Sequence, residues 1–261
     1  MILENFRELY QFKELFWVWT QKEIRVRYKQ STLGGLWAIL QPLSMMLIFT
    51  AVFGYFARIP TDGIPYPIFF YSALLPWTLF STSISFAVPS LLNNLNLVTK
   101  VYFPREIFPL AAIGASFLDY LIASLLFLAM LLAYQIPLRA TILYLPLLLA
   151  VQLLLMMGVS LLLAAVVVFF RDIRFVVILM LQLWMYLTPV VYPVSLVPER
   201  LLPLYMLNPM ASLIDGYRRI TILGKAPEWN YVSLSAAISL LLFILAYYYF
   251  KRAEMIFADI I

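Results

Sequence analysis

The sequence predicts an all-α membrane protein with six transmembrane helices. An N-terminal interfacial helix precedes them, and short outer re-entrant helices lie between spans five and six. Three observations lead there. Apolar residues fill 64% of the 261 positions and charged residues 12%, with a mean hydropathy of +0.94, whereas a soluble domain holds about 45–50% and about 25%. Six stretches reach the ~20 mostly apolar residues that ~30 Å of hydrocarbon requires. No β-barrel alternation with a period of two occurs, so backbone groups in lipid must be satisfied within helices.

The elements follow in chain order. Residues 1–33 form a cytoplasmic interfacial amphipathic helix, and 34–261 a single six-helix transmembrane domain. In the first segment Leu3, Phe6, Leu9, Tyr10, Phe16, Trp17 and Trp19 mix with Lys, Arg and Glu, the composition of a helix lying in the membrane interface. The segment has neither the apolar core nor the small-residue cleavage site of a signal peptide. Residues 31–35, Ser-Thr-Leu-Gly-Gly, give a turn into the first span. The predicted spans are 34–57, 66–92 (broken by Pro76 and Pro89), 107–135 (containing Asp119), 141–170, 175–193 and 231–250.

Between the last two, Asn208-Pro209 supplies an N-cap followed by proline at the first helical position, and Gly224 a stop. Leu213, Ile214, Tyr217, Ile220 and Leu223 have roughly helical spacing, while Asp215, Arg218 and Arg219 argue against a full span. The segment 196–224 therefore reads as re-entrant, dipping into the outer leaflet or lying on it, with another short helix near 199–206. With both termini inside, 12 of the 18 basic residues fall in inner segments, as the positive-inside rule requires.

Several chemistries are excluded. The chain has no cysteine and no histidine, which removes thiolate catalysis, Ser-His pairs and the usual zinc ligands. No phosphate loop of the G-x-x-x-x-G-K-[ST] type occurs. We expect no cofactor, no metal and no catalytic residue. The basic excess marks inner loops rather than nucleic-acid binding. Asp119, alone in its span, is costly in lipid and should face protein; with few titratable neighbours in sequence it reads as a structural hydrogen-bonder rather than a proton relay. Gln152 and Gln182 read as helix–helix hydrogen-bonders, and Ala111/Ala115 and Ala112/Ser116 as small-residue packing sites.

Four stretches carry a resemblance. They are residues 25–37 (Arg-Val-Arg-Tyr-Lys-Gln-Ser-Thr-Leu-Gly-Gly-Leu-Trp) continuing to Gln41-Pro42-Leu43, Lys100-Val-Tyr-Phe103-Pro104-Arg105-Glu106, Phe169-Phe-Arg171-Asp172-Ile173 with 187–193 (Leu-Thr-Pro-Val-Val-Tyr-Pro), and Asn208-Pro209 with Gly216-Tyr217-Arg218. In that order, and across essentially the whole chain, the sequence resembles the permeases of ABC exporters for O-antigen, capsular polysaccharide or teichoic acid, most of all the O-antigen exporter permeases. The resemblance implies six spans in the bacterial inner membrane with both termini cytoplasmic. It also implies a homodimer, two copies of a separate ATP-binding subunit, and a polyprenyl-pyrophosphate-linked glycan as substrate.

Roles for particular residues follow from it. The second inner loop, with Asn94, Asn96, Leu97, Val98 and Lys100, becomes a coupling segment for the ATPase, and the Arg171-Asp172 turn a second contact. Read alone, both also fit ordinary polar connectors. Arg25, Arg27 and Lys29 sit at the depth of inner-leaflet phosphates, where each charge gains about 1 kcal/mol near an anionic surface. They fit a landing site for the lipid pyrophosphate or a plain membrane anchor. Aromatic faces can stack on pyranose rings, so Phe49, Phe53, Tyr55 and Phe56 of span one and Trp184, Tyr186 and Tyr192 of span five are candidates for a glycan path; interfacial belts are the alternative. Asn208, Pro209, Tyr217 and Arg218 are candidates for an outer gate. A small-lipid or drug exporter, an integral-membrane polyprenyl-phosphate enzyme and an ion-coupled carrier are the competing functions. The last two lack the clustered acids and intramembrane titratable groups they need.

Overall fold

Helices make up nearly all the regular structure of residues 10–29, 31–61, 63–95, 97 and 103–260, which the computed structural model describes, and no strand occurs among them. Five helical segments are long and apolar enough to cross a membrane: Gly34–Phe56, Tyr66–Ser90, Ile107–Ala133, Ala140–Phe169 and Trp229–Phe257. They match predicted spans one to four and six, and the last runs past its predicted end.

The principal helices are α1 (Lys13–Tyr28), α2 (Trp37–Phe49), α3 (Tyr66–Ala87), α4 (Ile107–Ala133), α5 (Leu145–Phe169), α6 (Ile173–Tyr186), α7 (Leu202–Tyr205), α8 (Pro209–Arg218) and α9 (Trp229–Ile260). Helix α1 lies within the N-terminal segment 1–33; Leu3, Phe6 and Leu9 fall outside the described residues. Helix α2 continues as a π-helical turn, Thr50–Phe56.

Two expectations are corrected. Pro76 does not break the second span: α3 passes through it, and helicity loosens only at the Val88–Ser90 turn beside Pro89. The fifth predicted span, 175–193, is not one continuous helix. Helix α6 has 14 residues, about 21 Å at 1.5 Å per residue, short of the ~30 Å of a hydrocarbon core. The stop is chemical: Pro189 has no N–H to donate, and it disfavours helical geometry at the residue before it. Helix α8 is the segment read from sequence as dipping into the outer leaflet or lying on it. All of its residues but Asp215 are buried in protein. Its ends are as expected: the Asn208 side chain accepts from the Met210 N–H at 3.1 Å, Pro209 opens the helix, and Gly224 stops the following turn with φ +61°.

The main core gathers around α3. Most of its apolar span is buried, whereas the span containing α2 is mostly exposed, so α3 is central and α2 peripheral. Tyr71, Phe70, Phe80 and Ile84 of α3 are fully buried. A second cluster joins Phe103, Phe108, Phe250 and Phe257, with Phe16 and Trp19 of α1 packed on it. Gln152 of α5 links three helices: its amide donates to the Pro76 carbonyl at 2.7 Å and accepts from the Tyr217 hydroxyl at 2.8 Å. That is the helix–helix role expected of it. Gln182, by contrast, lies on an exposed face of α6.

The connections segregate to two ends. At one end Lys22 reaches Asn94, and Arg105 and Glu106 reach Glu254 and Lys251. At the other, Tyr66 reaches Val191, Arg139 reaches Leu223 and Thr141 reaches Ile220.

Candidate functional site

Helix α1 lies against α4, and its contacts sort the three basic residues of residues 25–29. Arg27 turns inward. Its guanidinium donates to the Asp119 carboxylate at 2.7 Å, to the Ser116 hydroxyl at 3.0 Å and to the Ala112 carbonyl at 3.2 Å, and it stacks 3.8 Å from the centre of the Phe86 ring. The Tyr28 hydroxyl donates to the other Asp119 oxygen at 2.7 Å. Asp119 thus has the protein partner its position demands, contributed by a helix 92 residues away in sequence. The small residues Ala112 and Ser116 admit the arginine. Arg25 and Lys29 are exposed. Arg27→Ala is therefore expected to lower stability by about 1.5–3 kcal/mol, the worth of hydrogen bonds to a charged group, read as a lower unfolding temperature. Arg25→Ala with Lys29→Ala should leave that temperature unchanged.

The loop after α3 meets α1 directly. Lys22 donates to the Asn94 side-chain carbonyl at 2.9 Å, and the Asn94 amide donates to the Ser90 carbonyl at 2.8 Å. Leu97 is exposed. Asn96, Val98 and Lys100 lie outside the described residues. Arg171 and Asp172 are both exposed in the tight turn between α5 and α6.

A cluster that the sequence reading missed anchors the far side of this loop. The Glu106 carboxylate is fully buried, and the Lys251 ammonium contacts both its oxygens, at 2.8 and 2.9 Å. Lys251 also pairs with Glu254 at 3.0 Å, and Glu254 accepts from the Arg105 backbone N–H at 3.1 Å and, through its carbonyl, from the Arg105 guanidinium. Burial pushes the Glu106 carboxyl above the usual carboxylate range, and the Lys251 charge opposes that. The signal was present: an acid just before one apolar run and a base just after another, on the same predicted side. Nothing in the sequence said that the two ends touch.

At the opposite end the expected gate residues meet the irregular segment 187–193. Such backbone needs protein donors if it lies at membrane depth, and it has them. Asn208 uses its full hydrogen-bonding capacity. Its oxygen accepts from the Trp184 indole at 2.9 Å and from the Met210 N–H, and its amide donates to the Leu187 carbonyl at 3.1 Å and the Thr188 hydroxyl at 3.0 Å. Buried Arg218 donates to the Pro189 and Val190 carbonyls at 3.0 and 3.3 Å and lies 3.8 Å over the centre of the Phe69 ring. The Tyr66 hydroxyl donates to the Val191 carbonyl at 3.0 Å. Tyr217 is turned away, toward Gln152. Asn208 and Arg218 therefore staple the break after α6 to the start and end of α8.

The aromatic candidates divide. Phe49 stacks on Phe70 at 4.7 Å and on Phe53 at 5.4 Å, both partly buried against the core. Trp184 packs edge-on to Phe80, and the Tyr192 hydroxyl bonds to the Tyr186 carbonyl and the Tyr205 hydroxyl. Tyr55, Phe56 and Tyr186 are exposed, at 75%, 77% and 53%. Helix α6 buries one stripe, Val177, Leu181 and Met185, and exposes the apolar residues between except Trp184. Gln41 and Ser44 of α2 and Gln182 of α6 lie on these exposed faces.

Comparison with known proteins gives a consistent answer. Residues 14–222 match the family described as ABC-2 type transporter. The chain is similar to the O-antigen export system permease protein RfbA of Myxococcus xanthus, 33% identical over 97% of each chain. It is similar to the protein of the same name from Klebsiella pneumoniae, 28% identical over 95% of each, and to the polysialic acid transport protein KpsM of Escherichia coli, 24% identical over 84% of this chain and 86% of the relative.

Proposed function

Since the chain belongs to the ABC-2 type transporter family, we propose that it is the membrane permease of an exporter carrying a lipid-linked polysaccharide of O-antigen type across the bacterial inner membrane. The similarity to O-antigen export permeases along essentially the whole chain carries this reading. A capsular substrate is the second reading; it rests on a relative of lower identity and coverage.

In this reading α6 and the segment 187–193 together supply a sixth crossing. Residues Arg174 and Phe175 border the same cavity as Val88 and Pro89 beyond the end of α3, while Val191 bonds to Tyr66 at the start of α3, which supports a traverse from one end to the other. Six crossings leave both termini in the cytosol, together with the loop of Asn94 and Leu97 and the Arg171-Asp172 turn. The exposed faces of α2 and α6 meet their counterparts in a second copy. Their glutamines and serine, unusual for a lipid-facing surface, support a lining of the glycan path there, with Tyr55, Phe56 and Tyr186. ATP hydrolysis belongs to two copies of a separate subunit, which seat on the cytosolic loops. Arg25 and Lys29 receive the lipid pyrophosphate, and Arg27 holds their helix in place. Asn208 and Arg218 act at the outer gate by fixing the broken end of α6.

The test is a charge at the exposed apolar position of the coupling loop. Burying an uncompensated polar group costs about 1–3 kcal/mol, so Leu97→Asp is expected to weaken ATPase association and glycan export on the order of tenfold. Copurification with the ATPase and the glycan retained inside cells are the measurements. Normal export with an undiminished complex would remove this coupling role.

A further inference from the structure

An apolar groove of about 630 Å³ runs between α1 and the α4–α5 surface. Its walls include Phe16, Leu110, Ile113, Phe117, Leu153 and Met157. The hydroxyl of Thr20 in its wall is already donated to the Phe16 carbonyl at 2.8 Å, so the interior offers a ligand almost no polar contact. Along α4 the lining runs from Leu110 to Leu118, about 12 Å of helix axis. The rim differs in kind. Tyr10, Lys13 and Trp17 border it and are exposed or half-exposed. Lys13 lies 5.0 Å from the Tyr10 ring centre and makes no ion pair among the described residues. This groove shares no lining residue with the cavity beside Arg27, Trp37 and Gln41.

We propose that the groove holds an acyl chain of an anionic glycerophospholipid, with its headgroup phosphate at Lys13. Shape and chemistry select that occupant. An elongated, nonpolar slot beside membrane-spanning helices takes a hydrocarbon chain, and aromatic rings with a cation at its mouth suit the headgroup level. A soluble peptide or sugar would leave its polar groups unsatisfied inside. The bound lipid fills the gap behind α1 and so holds the helix whose Lys22 meets Asn94 of the coupling loop. The inference requires a bilayer but not the export of a glycan, so it stands or fails separately from the function proposed above.

The intact chain, purified with lipid and examined by native mass spectrometry, tests it. Phosphatidylglycerol and phosphatidylcholine are the probes. We expect one retained phosphatidylglycerol per chain, preferred over phosphatidylcholine about tenfold, which is about 1.4 kcal/mol. Lys13→Glu, at an exposed site, should abolish the preference without changing the unfolding temperature. Leu118→Trp, which fills the slot, should abolish retention of both lipids; if that variant fails to fold, the Lys13→Glu result decides alone. Equal retention of the two lipids by the unaltered chain, a preference that survives Lys13→Glu, full retention by folded Leu118→Trp, or retention of polyprenyl phosphate in place of phospholipid would each overturn the proposal.

Discussion

Lys251→Met is expected to destabilise the protein by about 3 kcal/mol, the lower end of the cost of breaking a buried ion pair. The lower end applies because Lys251 keeps 21% of its side-chain exposure while Glu106 keeps 1%. The substitution strands a carboxylate with no water to receive it. It also removes a bond to Glu254, the residue that holds Arg105. The double variant Glu106→Gln with Lys251→Met removes the stranded charge and should recover most of the loss, because a pair replaced on both sides is often neutral. Thermal unfolding of the two variants in the same detergent measures this. A double variant no more stable than Lys251→Met would mean that the pair does not carry the effect. In the export reading the consequence extends to function, since Glu106 closes the loop that begins at Asn94. A loosened loop would transmit less of a partner's motion even where the protein still folds.

The sequence revealed what is local and left hidden what depends on distant neighbours. Five spans were legible because apolar length is a property of a continuous stretch, and the hydrocarbon thickness sets it. The start of α8 and the stop of the turn that follows it were legible for the same reason: Asn208, Pro209 and Gly224 act within a few residues of themselves. The continuous helix expected over the fifth span was a misreading, because hydropathy averages composition and does not test the hydrogen-bond ladder. Residues 187–193 are apolar, yet Pro189 ends the helix before them, and the donors that rescue their carbonyls come from Asn208, Arg218 and Tyr66. Arg27 shows the same limit. Three basic residues within five positions looked equivalent, and only contact with α4 separates the inward arginine from the two exposed cations. The aromatic candidates were not separable from sequence, because aromatic content does not say which ring stacks on Phe70 and which faces outward.

Gly158 is where the smallest change should do the most harm. It lies mid-way along α5, where that helix meets α9. A Cβ placed there would stand 3.0 Å from the Phe243 backbone nitrogen, 3.1 Å from its Cα and 3.3 Å from the Leu242 carbonyl carbon. These are backbone atoms of a continuous helix, so no rotamer change relieves the contact. Gly158→Ala gains about 0.8–1.0 kcal/mol of helix propensity against an overpacking cost of about 1–3 kcal/mol, and should be mildly destabilising. Gly158→Leu has nothing further to gain and must push the helices apart, so a loss above about 3 kcal/mol is expected, seen as failure to accumulate folded protein. Gly114 is a natural control. Its nearest atoms are side-chain atoms of Thr20 and Phe16, at 3.2 and 3.4 Å, which can rotate away, so Gly114→Ala should cost less than Gly158→Ala. If Gly158→Leu unfolds at the temperature of the unaltered chain, the close approach of α5 and α9 is not a constraint. If it does not fold, the reason reaches beyond the contact itself. Lys251 and Glu254 lie two to three turns beyond Phe243 on α9, so a helix displaced at Gly158 also withdraws the groups that fix Arg105 and Glu106.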